Sequence, residues 1–317
     1  MTLPSQFIGV DLGGSSVKAV VVGPRAELIA HANIPFIDRN REWAKAVKEL
    51  VASLEHDFGR AQAVGLSAPG LANRNERCIA HLPGRLIGLE GLDWTQYLER
   101  PLLVPVLNDA HAALLGEAWN GAAVGLRNVV LYTLGTGVGG AAMVDGRLLR
   151  GHLGRGGHFG HVTVDFLGQL DDVRTPGSLE MELGNRSLAR RSNGRFSTTH
   201  TLVAACQQGD PMAMAIWRRS LKAFAAAIAS TINVLDPEAV IVGGGISHAG
   251  PVLFGPLQAE LDQFEWRPGG AKVRLLPAEL GDLAGAYGAA SQAVIRWLEA
   301  HDAATTQLIL GEGVAAP

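Results

Sequence analysis

The sequence predicts an α/β protein of two lobes that share one cleft, and three observations carry that expectation. Short apolar runs of strand length alternate with longer stretches at helical spacing. Glycine makes up 40 of 317 residues and is clustered at the ends of those apolar runs, where backbone must turn or come close to something. The unit strand, glycine turn, strand occurs in residues 7–24 and again from Val129, a weak internal repeat. A chain of this length accommodates about two domains, and mixed sheets with flanking helices suit such a pattern.

The elements follow in order. Phe7 to Asp11 is a short apolar run, turned by Gly13-Gly14-Ser15, and Val17 to Val22 runs back, which reads as a hairpin. From Glu42 to Leu54, Trp43, Val47, Leu50, Val51 and Leu54 share one helical face. Ala63 to Ser67 is a strand ended by Ala68-Pro69-Gly70, and a long loop runs through Leu82-Pro83-Gly84-Arg85. Leu102 to Leu107 is a further strand, after which Asn108-Asp109 opens a helix towards Trp119, with Asp109 suited to a cap. Val129 to Leu134 and Ala141 to Val144 flank the turn Gly135-Thr136-Gly137-Val138-Gly139-Gly140. Ser220 to Leu235 is a helix with Leu221, Phe224, Ile228, Ile232 and Leu235 inward, stopped by Asp236-Pro237. Ala239 to Val242 is a strand before Gly243-Gly244-Gly245. Helices near 250–264 and from Gly285 to about Ala300 complete the pattern. The expected division is a small lobe (1–120 plus the terminal helix, 285–305), a large lobe (121–284) and a tail (306–317).

Composition excludes several function classes. Thirty acids against 27 bases leave a net charge of −3, so no bulk affinity for nucleic acid or an acidic membrane is expected. The opening MTLPSQFIGVDLGG lacks a basic start and an unbroken apolar run, unlike a signal peptide. No apolar stretch is long enough for a transmembrane helix. Cys78 and Cys206 are the only cysteines, too few for a disulfide framework or a cysteine zinc site. A cytoplasmic protein is expected.

Three glycine turns at strand ends ask for a common cause. Convergent N–H groups in such a turn receive a phosphate with no side chain in the way. The run Gly135-Thr136-Gly137-Val138-Gly139-Gly140 is not a dinucleotide fingerprint, because strand rather than helix follows it. No Gly-x4-Gly-Lys-Ser/Thr motif is present either, which excludes a Walker loop.

Six motifs occur in order: Asp11-Leu12-Gly13-Gly14-Ser15; Asn108-Asp109-Ala110 with Gly116-Glu117; Gly135 to Gly140; Gly157-His158-Phe159-Gly160-His161; Gly243-Gly244-Gly245; and Gly281 to Ala290. Together, over roughly residues 7–298, they resemble the ROK family (repressors, open reading frames and sugar kinases) of the actin/hexokinase/Hsp70-like superfamily. The resemblance implies two actin-like, ribonuclease H-like lobes and an ATP- and Mg²⁺-dependent hexose kinase, glucokinase-like and often dimeric. It implies that Asp11 faces the Mg²⁺–nucleotide through water, that Gly13, Gly14 and Ser15 line the phosphates, and that Gly135, Thr136 and Gly137 hold their other side. Gly243, Gly244 and Gly245 would lie beneath the adenosine. Asn108, with Gly70, would bind the sugar, and Asp109 would be the general base on the attacking primary hydroxyl. Phosphoryl transfer needs such a carboxylate beside the nucleophile.

Departures from the family pattern fall in the sugar site. His158 stands where relatives carry Glu, and an imidazole offers one donor and one acceptor in place of a carboxylate's acceptors. His161 and Glu180 keep their places as sugar contacts. Many relatives hold a structural zinc with that His and three cysteines. The matching positions are Asp171, Val173 and Ser178, so no structural zinc is expected and loop 165–180 must be held some other way. His81 replaces the Asn before Leu-Pro-Gly. Lys18 reads as a strand-edge lysine or as a contact for a polyphosphate donor. Arg186, Arg190, Arg191 and Arg195 read as a solvated face. The expectation is a kinase acting on a hexose or hexosamine, at the 6-hydroxyl. The alternatives are a catalytically weak sugar sensor and a polyphosphate-using kinase. A repressor is disfavoured because Phe7 leaves no room for a DNA-binding segment ahead of it.

Overall fold

A computed structural model describes residues 6–301; the expected tail, 306–317, lies outside the described residues. In chain order the strands and α-helices are β1 (Phe7–Leu12), β2 (Ser16–Val22), β3 (Leu28–Pro35), α1 (Glu42–Phe58), β4 (Ala63–Ala68), β5 (Leu71–Ala72), β6 (Ile79–His81), α2 (Trp94–Tyr97), β7 (Val106–Asn108), α3 (Asp109–Asn120), β8 (Val129–Leu134), β9 (Val138–Val144), β10 (Arg147–Leu148), α4 (Leu179–Leu183), α5 (Asn185–Arg191), α6 (Thr199–Gln207), α7 (Pro211–Leu235), β11 (Ala239–Gly243), α8 (Pro251–Phe264), β12 (Arg274–Pro277) and α9 (Ala284–Ala300). Among the described residues no helix is long and apolar enough to cross a membrane.

The chain divides into two compact units. The first holds the described residues up to Val124, the segment Arg150–Gly156 and those from Asp282 onward; the second holds Gly125–Leu149 and Gly157–Gly281. The sequence expectation keeps 121–284 together, and the structure divides it. Residues 150–156 pack in the first unit because Arg150 ion-pairs with the buried Glu76, which also binds Arg296 at 2.6 Å. His111 Nε2 meets the Gly156 carbonyl at 2.7 Å.

The first unit is built on a five-stranded sheet, β3-β2-β1-β4-β7. The β1–β2 hairpin and β3 are antiparallel, while β4 and β7 run parallel to β1. Helix α1 buries the expected face, including Trp43, Val47 and Leu50. Helix α9 lies on β1, β4 and α3 with its backbone almost touching theirs. A Cβ on Gly9, Gly65, Gly116 or Gly288 would overlap backbone atoms of Ala286, Ala289, Ala284 or Ala112 respectively. These isolated glycines serve helix packing, a purpose distinct from the turns. The expected strand from Leu102 shrinks to Val106–Asn108, since Pro101 and Pro105 have no N–H to give a ladder.

The second unit repeats the plan with β10-β9-β8-β11-β12. Again the first three strands are antiparallel and the last two parallel to β8. Its core gathers Tyr132, Leu183, Trp217, Phe224 and Leu257. Helix α7 begins earlier than its apolar face suggests: Asp210 accepts from the Ala213 N–H at 3.0 Å and Pro211 occupies the first turn.

Candidate active site

In the first unit the candidate side chains stand at the carboxyl ends of the parallel strands, the edge where open α/β sheets place ligands. Register fixes the row: Asp11 of β1 lies beside Ser67 of β4, and Ala68 beside Asn108 of β7. Ser67 donates to Asp11 Oδ1 at 2.6 Å. Burial raises the Asp11 carboxyl to about 6; the Ser67 bond opposes this, and nearby Asp109 adds to it. Lys18, opposite Asp11 in the hairpin, works the other way and pairs with Asp282 at 3.1 Å. The edge-lysine reading is corrected, because β2 is flanked by β1 and β3. The hairpin turn is closed by Gly13 N donating to the Ser16 carbonyl at 2.9 Å, which leaves Gly14 and Ser15 exposed.

Asn108, rather than Asp109, is the N-cap of α3. Its Oδ1 accepts from the N–H groups of Ala110 and His111 at 3.0 and 3.2 Å. Its Nδ2 donates to the Gly70 carbonyl at 3.0 Å and to Asp109 Oδ1 at 2.9 Å. The buried Asn108 is therefore held on both sides, and Asp109 stands exposed on the first turn of the helix. Gly70 has φ +101°, and a Cβ there would lie 2.6 Å from the His81 carbonyl oxygen. His81 itself is exposed, 3.7 Å from Glu90.

In the second unit the turn after β8 is a tight hairpin in which Gly135 N donates to the Gly137 carbonyl at 3.0 Å. Asn185 N donates to the Gly135 carbonyl at 3.1 Å and Arg186 N to the Thr136 carbonyl at 2.9 Å, so the turn is fastened to the start of α5. Gly243 ends β11 beside Thr133 of β8. Gly244, at φ +82°, runs so close to Leu134 that a Cβ would stand 2.5 Å from its carbonyl oxygen. Gly135 and Gly245 both line a cavity of about 430 Å³ together with Asn185, Thr199, His200 and His248. The last four carry no sequence signal, since they come from three separate segments, α5, the start of α6 and the turn after β11, that only folding assembles. A cavity of that size is within the range that small-molecule ligands occupy.

His158, His161 and Glu180 lie nearby in the same unit. Leu179 N donates to the Val162 carbonyl at 2.9 Å, which joins the His161 and Glu180 segments. Glu180 Oε2 accepts from Val138 N at 3.0 Å, at the foot of the glycine turn. His158 is half-buried and precedes a single 3₁₀ turn, Phe159–His161. His161 Nδ1 is 3.0 Å from Asp171 Oδ2. A structural zinc does not fit here: Val173 has no donor atom, both Asp171 oxygens are engaged by His161, Val173 N and Thr175 N, and among the described residues no three His, Cys, Asp or Glu side chains group to hold a metal. Of the four arginines read as a solvated face, Arg191 departs. It is half-buried and binds Ser187, Ser220 and the Gly184 carbonyl.

Comparisons with known proteins identify the family. The ROK family profile matches residues 7–294. A glucokinase of Streptomyces coelicolor (strain ATCC BAA-471 / A3(2) / M145) is 31% identical over 320 residues, covering 90% of this chain and 96% of its own. The crystal structure of a ROK hexokinase from Thermus thermophilus superposes with a TM-score of 0.79 at 30% identity, over 93% of this chain and 99% of that one. A ROK family glucokinase from Streptomyces griseus, solved with glucose and AMPPNP, gives 0.77 at 28% identity, over 91% and 99%. Sequence profile, relatives and strand topology converge: this chain belongs to the ROK family, and its mixed α/β units have the actin-like fold.

Proposed function

We propose that this protein is a glucokinase-like sugar kinase, transferring the terminal phosphoryl group of ATP to the 6-hydroxyl of a hexose or hexosamine. The observation that supports the reading best is the pairing of two carboxylates at one strand edge with opposite surroundings. Asp11 is enclosed and raised towards neutrality, whereas Asp109 is exposed and oriented by Asn108.

In this reading Asp109 accepts the proton of the attacking hydroxyl as its oxygen bonds to phosphorus and the bond to the ADP oxygen breaks. Such general-base help contributes roughly 10²–10⁴-fold. Asn108 keeps the Asp109 carboxylate in one rotamer while capping α3. The acidic surroundings of Asp11, with Asp109 and Asp282 both raising its proton affinity, fit a hard divalent cation held through water. When bound, Mg²⁺ neutralises the charge of the phosphates. The glycine turns offer N–H groups to those phosphates. Gly245, His200, Thr199 and Asn185 line the nucleoside cavity. His161, Glu180 and His158 contact the sugar. The working form is a cytoplasmic homodimer.

A coupled ADP-release assay with ATP against glucose, mannose, fructose, allose and N-acetylated hexosamines tests the reading, with polyphosphate as an alternative donor. Turnover with ATP and a 6-phosphorylated product are expected. Tight sugar binding with no turnover on any sugar would overturn it in favour of a sugar sensor. Sedimentation equilibrium checks the dimer.

A further inference from the structure

The side chain of Asp171 has no exposed surface, and that of His161 is 37% exposed. Asp171 belongs to the loop between β10 and α4, where Asp165 N and Val164 N both donate to the Gly177 carbonyl. Its Oδ1 accepts from Val173 N at 3.0 Å and Thr175 N at 2.8 Å, and its Oδ2 faces His161 Nδ1. Burial works against the charged carboxylate. The His161 ring and the Thr175 N–H outweigh it and hold the group below its ordinary value. Asp171 is therefore ionised at neutral pH, and an ionised carboxylate only accepts. It engages Nδ1 only if Nδ1 carries a hydrogen. In a neutral ring the other nitrogen, Nε2, then bears the lone pair.

We propose that Asp171 is a positioning residue that fixes His161 as the Nδ1–H tautomer, so that Nε2 meets the sugar as a hydrogen-bond acceptor and selects a hydroxyl able to donate. The identity of the ligand rests on the sugar-kinase reading; the tautomer does not. A fluorine, a methyl ether or a carbonyl at the facing position leaves Nε2 without a donor, and sites built around a hydrogen bond reject analogues that lack it. The carboxylate also ties the loop to the ring without a metal, because one oxygen serves the loop backbone and the other the imidazole.

Two measurements test this. The first is nitrogen NMR of histidine-labelled protein without substrate, above the histidine titration range, with His161 assigned from its loss in His161→Ala. A protonated Nδ1 and a bare Nε2 are expected. In Asp171→Asn, the amide oxygen stays with the Val173 and Thr175 N–H groups, its NH₂ faces Nδ1, and the ring should switch to the Nε2–H form. A wild-type ring protonated on Nε2 overturns the proposal, whatever the stability of the variant. So does a folded Asp171→Asn protein with an unchanged tautomer.

The second is calorimetric binding of glucose analogues, each with one hydroxyl replaced by fluorine. One position should lose at least tenfold in affinity in the wild type and lose nothing further in His161→Ala; the penalty should shrink in Asp171→Asn. Sugar binding with no fluorine position sensitive to His161 overturns the specificity role. Failure of every sugar to bind counts against the kinase reading, while the tautomer result stands separately.

Discussion

Gly285, in the first turn of α9, lies directly against the Asp11 carboxylate: a Cβ placed on it would stand 2.8 Å from Asp11 Cγ. The helix backbone thus forms one wall of the carboxylate's enclosure, and that wall contributes to the burial that raises Asp11. Gly285→Ala favours the helix by about 0.5–1 kcal/mol by itself, yet it must displace Asp11. We expect ATP-dependent turnover to fall at least tenfold with the melting temperature within a few degrees of wild type. Steady-state kinetics beside a thermal melt check this; unaltered kinetics would show that Asp11 has room to move.

Asp11→Asn should separate stability from activity. The carboxyl has a raised pKa in the folded protein, about 6 against 3.8 for the free group. A raised folded value means stability that is present below pH 3.8 and lost as pH rises through 6. Asn cannot ionise, so the variant should be more stable than wild type at neutral pH, by up to about 3 kcal/mol, and equal to it in the acid range. Urea denaturation at the two pH values reads the difference. Activity should be lost in the same variant.

Asp109→Asn keeps an acceptor for the Ala110 N–H but removes the base. Turnover should drop by about 10²-fold or more, while sugar affinity measured by calorimetry stays within about tenfold of wild type. Loss of sugar binding with chemistry otherwise intact would instead make Asp109 a binding residue.

Gly244 and Gly245 form a matched pair. Gly244→Ala forces a side chain into a positive-φ extended conformation almost confined to glycine, costing about 1–3 kcal/mol, and a clash with Leu134, so the melting temperature should fall. A Cβ on Gly245 meets nothing within 4 Å, and Gly245→Ala should melt like wild type while weakening ATP binding. Differential scanning calorimetry with and without nucleotide distinguishes the two effects.

Incubation with a zinc chelator should leave the melting temperature unchanged. The loop 165–178 is fastened by Asp171 and by backbone bonds such as Gly177 N to the Gln169 carbonyl at 2.8 Å. A marked drop would reveal a structural metal and overturn that reading.

Local chemistry made much of the fold legible in the sequence. Glycine turns bounded by apolar runs located both hairpins, and the apolar stripe from Trp43 to Leu54 located α1. The carboxylates at strand ends followed from the same reading. Three things escaped it. The cap of α3 belongs to Asn108, because Asn and Asp are nearly equal caps and only the Gly70 contact decides between them. The cavity of about 430 Å³ takes His200 and His248 from distant elements, and no spacing rule links them. The isolated glycines packed against α9 carried no signal of their role, because a close approach between backbones leaves no periodic mark.

The two sheets share one strand order and one pattern of directions. Counting back two residues from the first turn glycine reaches Asp11 in one copy and Thr133 in the other. The two hairpins differ at that position: one carries a carboxylate before its loop and the other a neutral hydroxyl. Swapping those two residues would ask whether that asymmetry, rather than the loops themselves, gives each half its trade.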